Sequence, residues 1–265
     1  MYEIANLEPK YTVQSLVRAL NLLNVISDDS SQDGMALTEL AKIVGMSKGS
    51  VFSSLQTLAA FGIVSDHGSG HGRRYRLGLG LIRLGNRAAA QITIAEVARP
   101  HLEALSADTG LTSRLAMIQG NWAVAVARVD APGSIQLNLG LGEREWPHRS
   151  ALGKALLLGS RNDNIASILE HTGMAGQTSH TIATLQDFLV NIEHSRARGY
   201  ALDDEEDRDG IMCVAVPVHN QAGDTLAAMG VTGLKAGPEF RDLSSVARAL
   251  MTRSQALSEE LSASQ

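Results

Sequence analysis

Two short helical stretches separated by one glycine turn constrain this chain more than any other feature. In LTELAKIVGMSKGSVFSSLQTLAAFG, residues 37–62, Leu40, Ile43 and Val44 recur at helical spacing before Gly45, and Val51, Leu55 and Leu58 recur after it. Gly45 suits a left-handed cap on the first helix, Ser47 can accept a backbone N–H as N-cap of a helix over 48–60, and Gly62 stops that helix. An earlier helix is predicted over 14–27, where Leu16, Leu20, Leu23 and Ile26 alternate with Arg18, Asn21 and Asn24, before the polar loop SDDSSQDG. Helix, tight turn, helix at this spacing is the helix-turn-helix pattern, whose second helix enters a DNA major groove by its N-terminal residues.

With Val51, Leu55 and Leu58 inward, the outer face of that helix presents Gly49, Ser53 and Gln56, flanked by Lys48, Ser50 and Thr57. Hydroxyls and amides can bond base edges or phosphates, and the small residues Ser47, Gly49 and Ser50 allow close backbone approach. The same face reads equally well as a solvated helix surface. The next segment separates the two readings. Ile63–Ser65 and Tyr75–Leu77 are predicted as short strands joined by DHGSGHGRR, a wing-like hairpin. His71, Arg73 and Arg74 at its tip can follow a minor groove, with salt-dependent attraction to phosphates. A flexible surface loop is the alternative.

Net charge of −5 argues against DNA until the chain is divided. Residues 1–91 carry nine Lys and Arg against seven Asp and Glu, whereas 92–265 carry fourteen against twenty-one. Five of the basic residues fall between Arg73 and Arg87, a local patch beside the hairpin. At 265 residues two domains are expected: a winged helix-turn-helix over 1–78, a linker helix over 79–97 and a larger domain over 98–265. The class is α+β. A helix is predicted over 98–109, strands near 112–119, 122–129, 135–139, 211–218 and 225–233, and helices near 151–158, 163–171, 184–198 and 240–261. An antiparallel sheet flanked by helices assembles them most simply.

Cys213 is the single cysteine, which excludes an intrachain disulfide and fits a reducing compartment. No apolar run approaches a membrane span and the N-terminus lacks a signal-peptide profile, so a cytoplasmic protein with no membrane partner is expected. No glycine-rich phosphate loop appears, and no cofactor is expected.

Three segments of the larger domain are candidate ligand contacts. In HRSALGKALLLG, 148–159, Ser150 can cap a helix whose free N–H groups at Ala151, Leu152 and Gly153 suit an anion; a plain N-cap against the core is the alternative. The run from Asp203 to Asp209 holds six carboxylates in seven residues, ordinarily a solvated loop, and lacks the spacing of a calcium-binding loop. In AMGVTG, Gly230 and Thr232 share one strand face. Trp146 and His148, before the helix, can enclose an aromatic or larger acid or serve as packing anchors. A hydrolase using Cys213 or Ser150 with His148, and a metal or redox sensor using Cys213, His148 and the acidic run, are the competing functions.

The chain resembles the IclR family of bacterial regulators along nearly its whole length. VQSLVRALNLLNVIS is similar to the family's first helix, LTELAKIVGMSKGSVFSSLQTLAAFGIV to its helix-turn-helix, and RRYRLGLGLIRLG to its wing strand and linker start. One departure is that Phe52 and Ser53 stand where members often have a His-Arg pair. The resemblance implies a GAF-like sensor domain, a dimer paired through the linker helix, possible pairing of dimers, a pseudo-palindromic operator and a small organic or aromatic acid as effector. It implies that His148, Ser150, Ala151, Leu152, Asp203, Ile211, Cys213, Gly230 and Thr232 form the effector pocket, with Glu206 a characteristic acid beside it. At Gly230 the loss of a hydroxyl would give the ligand room.

Overall fold

The computed structural model describes residues 12–29, 31, 33–89, 91–133 and 140–263, with the side chains of residues 71 and 89 left out. The chain divides into two compact units, 1–91 and 92–265. The strand expected at 135–139 lies outside the described residues.

The first unit holds α1 (Gln14–Ser27), β1 (Met35–Ala36), α2 (Leu37–Val44), α3 (Lys48–Ala60), β2 (Val64–His67), β3 (Arg74–Leu77) and α4 (Gly80–Ala89). Gly45 closes α2 in the left-handed region at φ 66°, and Ser47 caps α3 by accepting the Ser50 N–H. The core is Leu22, Ile26, Leu40, Ala41, Val51, Leu55, Val64 and Tyr75. The inward faces of α1 and α2 therefore differ from the simplest reading of their periodicity. Leu16, Leu20 and Ile43 are exposed, while Leu22 and Ala41 are buried.

β1, β3 and β2 form a small antiparallel sheet in that order. The hairpin strands are longer than expected, pairing from Val64 with Leu77 to His67 with Arg74. β1, too short to register in a sequence pattern, joins Met35 to Tyr75 on the other side. The chain leaves the hairpin through a tight crossing: Gly78 N–H and Gly80 N–H donate to the carbonyls of Ile63 and Gly62 at 2.8 and 2.9 Å.

The linker expected as one helix over 79–97 is interrupted. α4 ends at Ala89, and α5 (Thr93–Thr109) begins after Ile92, which has the non-helical angles φ −99° and ψ 77°. The β-branched run Ile92, Thr93, Ile94 has lower helix propensity than the alanines before it, which favours a break there.

The second unit is a six-stranded antiparallel sheet in the order β6-β5-β4-β9-β8-β7. Its strands are β4 (Thr112–Gln119), β5 (Trp122–Val129), β6 (Arg144–Glu145), β7 (Ala201–Asp204), β8 (Ile211–His219) and β9 (Thr225–Leu234). Alternation assigns the two faces. Leu115, Val214, Val216, Met229 and Val231 pack against α5 and α9 (Leu243–Ala263), while Ala116, Cys213, Ala215 and Ala228 pack against α6 (Ala151–Leu157). Beyond α6, α7 (Asn162–Thr172) and α8 (Leu185–Arg198) close a satellite core around Phe188 and Ile165.

The crossing at Gly78 gives a stability prediction. A Cβ there would lie 2.2 Å from the Gly62 carbonyl oxygen, a backbone atom that cannot swing aside. Gly78→Ala should cost about 1–3 kcal/mol or more. Thermal unfolding of the full chain should show a destabilised transition, whereas Gly49→Ala, with open space around it, should barely move it.

Candidate functional site

On the α6 face of the sheet, one cross-strand row carries Asp203, Cys213 and Thr232, paired residue to residue across β7, β8 and β9. The row floors a cavity of about 200 Å³ also lined by Arg114, Glu145, Trp146, Arg149, Ser150, Asp207 and Ile211. An apolar cavity of about 150 Å³ holds a benzene ring, so this space fits one ring or a short-chain acid.

Five of the expected effector residues, Ser150, Asp203, Ile211, Cys213 and Thr232, are thus brought together on the cavity wall. Four are not among its lining. Ala151 and Leu152 are buried in α6. His148 is fully buried, its Nε2 donating to the Ala175 carbonyl at 3.2 Å and its Nδ1 without a hydrogen-bond partner among the described residues. Burial lowers its pKa, so the ring is neutral. Gly230 does not open room for a ligand, because a Cβ there would meet Leu152 Cδ2 and Ala215 Cβ at 3.0 Å and the Val214 carbonyl at 2.9 Å. The space freed by the missing side chain is filled from α6.

The helix start is also less available to an anion than expected. Ser150 Oγ accepts the Gly153 N–H at 3.0 Å, so that group is already satisfied.

The acidic run is not a solvated loop but a neutralised one. Asp203 Oδ1 accepts the Glu206 and Asp207 N–H groups at 2.8 and 3.2 Å, which folds the segment into a turn over the cavity. Lys235 pairs with Asp204 and Glu205 at 2.8 and 2.6 Å, and Arg149 with Asp207 at 2.6 Å. Glu206 meets Lys154, whose Nζ is 2.5 Å from Oε1 and 2.9 Å from the Leu202 carbonyl; Lys154 is fully buried. Burial pulls Lys154 down and pushes Glu206 up, and each charge opposes the other's shift. Asp203 is pushed up to about 7, first by burial and further by the Glu206 charge, against the two backbone N–H groups and Lys154.

The sequence reading missed two arginines. Arg114, buried in β4, donates to Thr232 Oγ1 at 3.2 Å and pairs with Glu145. Arg149 lies over the Trp146 ring at 5.1 Å, and Trp146 meets Trp122 edge to face at 5.0 Å. The available signal for Arg114 was a lone cation inside the otherwise uncharged strand TSRLAMIQ.

Neither competing chemistry is assembled. Thr232 Oγ1 donates to Cys213 Sγ at 3.3 Å, and burial raises the thiol pKa, the opposite of what a nucleophile needs. Ser150 Oγ is a cap and His148 is committed to Ala175. Among the described residues no group of three His, Cys, Asp or Glu could hold a metal ion.

In the first unit, Ser47, Lys48, Gly49, Ser50, Ser53, Gln56 and Thr57 are all exposed on α3. Part of their hydrogen bonding is internal: Ser47 and Ser50 hydroxyls lie 2.9 Å apart, and Thr57 Oγ1 donates to the Ser53 carbonyl at 2.9 Å. Lys48, Phe52, Gly70 and Arg73 line one groove between the start of α3 and the hairpin tip. The tip arginines differ in role. Arg73 pairs with Asp66 at 3.3 Å, whereas Arg74 donates to the Gly34 carbonyl at 2.9 Å and so ties the hairpin to the segment before α2. The side chain of His71 lies outside the described residues.

Comparison with known proteins fits both units. Residues 15–67 match the IclR helix-turn-helix domain and 86–259 match the family described as bacterial transcriptional regulator IclR C-terminal. The chain belongs to the IclR family of DNA-binding transcription regulators. It is 29% identical over 249 residues to the HTH-type transcriptional regulator XynR of Escherichia coli K12, covering 94% of this chain and 97% of that one. The IclR crystal structure from Thermotoga maritima superposes with a TM-score of 0.74 at 25% identity, covering 94% and 99% of the two chains. An IclR homolog from Microbacterium hydrocarbonoxydans, complexed with 4-hydroxybenzoate, shares the fold with a TM-score of 0.76 at 16% identity, covering 94% and 99%. Relatives in this family are named as regulators, not enzymes. Among the described residues no helix is long and apolar enough to cross a membrane.

Two measurements test the site. Lys154→Met leaves Glu206 buried without its cation and should cost about 3–5 kcal/mol in urea unfolding. Adding Glu206→Leu should recover most of that loss. Asp203→Asn keeps an oxygen acceptor for both backbone N–H groups but cannot ionise. Because Asp203 holds its proton to about 7 when folded against 3.8 ordinarily, its contribution is full below about 4 and lost as pH rises through about 7. Wild type should therefore lose stability relative to Asp203→Asn across that window, and parallel pH profiles would contradict it.

Proposed function

We propose that this regulator binds a pseudo-palindromic operator as a dimer and that a small organic or aromatic acid in the α6-face cavity controls that binding, in the setting of a catabolic operon and in the cytoplasm. The observation that carries the reading is the cavity itself: a space sized for one small acid, walled by the protonatable Asp203 carboxyl, the Ser150 and Thr232 hydroxyls and four arginines, with Glu143, Glu145 and Asp207 among them. The DNA-reading domain spans about 1–78, α4 begins the linker, and the sensor occupies the rest.

DNA contact is assigned to the start of α3, through Ser47, Lys48, Gly49, Ser50, Ser53, Gln56 and Thr57, and to the hairpin through His71, Arg73 and Arg74. The common groove shared by Lys48 and Arg73 supports a phosphate path there. Dimer formation is supported by apolar side chains left exposed in the first unit: Leu16 and Leu20 on α1, and Ile82 and Leu84 on α4. A two-fold pair presents two recognition helices to a symmetric site. A dimer of dimers extends the same arrangement.

The test is fluorescence anisotropy of full-length protein on DNA upstream of its own gene, over a salt series and with a panel of small acids that includes 4-hydroxybenzoate. Affinity should fall steeply with salt. Arg73→Ala should weaken binding and reduce the salt slope by about one. Arg74→Ala should weaken binding and also lower the thermal transition, because it removes the bond to Gly34. Affinity insensitive to salt and to Arg73 would overturn the hairpin's role, and indifference to every acid would overturn the effector class.

A further inference from the structure

Arg114 is a permanently charged group placed where a cation is costly. It is 6% exposed, in the middle of β4, and lines the cavity floor. A guanidinium keeps its charge at any physiological pH, so its burial must be offset by acceptors. It has only two. Nη2 donates to Thr232 and Nη1 meets Glu145, while Nε is buried with no partner among the described residues.

A guanidinium binds a carboxylate best through two parallel N–H groups, and this one is only half engaged. The group that engages it is itself lightly held. Glu145 sits on the two-residue edge strand β6, attached by pairing to Ala123 and Val124 alone, and its side chain retains partial exposure. Of the other arginines along the cavity wall, Arg149 is paired with Asp207, Arg144 lies over the Trp122 ring, and Arg144 and Arg208 are exposed, so Arg114 is the buried one.

We propose that Arg114 determines effector specificity by binding the ligand's carboxylate, and that Glu145 holds that carboxylate's place until the ligand displaces it. The inference rests on the reading of this cavity as the effector site. It assigns the ligand class as a small monoanionic acid whose two oxygens span Nη1, which Glu145 now holds, and the adjacent Nη2, with the remainder against Trp146, Ile211 and Cys213. Exchange replaces one carboxylate by another, so the buried cation is never left bare. It also frees Glu145 and its edge strand, a local change that begins at the ligand.

The two tryptophans of the chain give a direct reporter, since Trp146 lines the cavity and Trp122 touches it. Full-length protein is titrated by intrinsic fluorescence with benzoate, 4-hydroxybenzoate and pyruvate, and with the uncharged amide of each. Wild type should bind an acid in preference to its amide. Glu145→Gln, which removes the competing charge, should bind that acid about tenfold more tightly. The neutral pair Arg114→Gln with Glu145→Gln should lose about thirtyfold or more for the acid and much less for the amide. Its thermal transition checks that it folds. An acid bound equally well by this double variant and wild type overturns the role of Arg114 and leaves the effector site standing. If Glu145→Gln binds none of the acids at millimolar concentration, or if acids alter DNA binding without changing the fluorescence, the assignment of the cavity fails and the proposal with it.

Discussion

A lysine ammonium shut away from water sets the geometry of the larger unit. Lys154 lies one helical turn after Ser150 on α6, and its partners, Glu206 and the Leu202 carbonyl, belong to β7 and the turn that follows. Burying these charges is costly unless the pair is well matched. Once formed, it fixes the distance between the helix that caps the cavity and the strand that supplies Asp203. The segment from Asp204 to Asp207 is then held by further cations on either side. A stretch that repels itself in the unfolded chain becomes a rigid wall, with Glu205 in the left-handed region at φ 64° as the cost of its turn.

Long periodic elements were legible in the sequence, as were the hairpin strands β2 and β3 from the glycine-rich turn between them, while the other short strands were not. The strands at 112–119 and 122–129 and the helix at 48–60 fall where apolar alternation and caps placed them. β1, β6 and β7 span two, two and four residues, too few for a period to show, and exist because a neighbouring strand offers hydrogen bonds. On α1, leucine spacing pointed to Leu16, Leu20, Leu23 and Ile26, and the helix does bury Ile26 but with Leu22 in place of Leu16 and Leu20, because which apolar stripe turns inward is decided by the partner helix. The cavity was half legible. Ser150, Asp203, Cys213 and Thr232 came from motif likeness, whereas Arg114 and the pairing of the acidic run are products of tertiary contact between segments about 30 residues or more apart, for which a single sequence holds no spacing rule.

The DNA-reading unit shows the same division between identity and role. Two adjacent arginines in a glycine-rich tip look equivalent on paper, but strand alternation sends Arg74 back toward Gly34 while Arg73 stays beside the groove. Beyond Lys48 at its start, the recognition helix carries hydroxyls and amides in place of cations. The basic residues of this unit are instead concentrated in the hairpin and α4, where Arg73, Arg74, Arg76, Arg83 and Arg87 lie.

Leu152 sitting over Gly230 has a consequence for how such a sensor changes over evolutionary time. A helix residue and a strand residue supply one packing volume between them, outside the lining of the cavity. A side chain at 230 would also meet the Val214 carbonyl at 2.9 Å, so a smaller residue at 152 does not by itself make room for one. Position 230 is thereby held to glycine, and 152 to a side chain that fills the space above it.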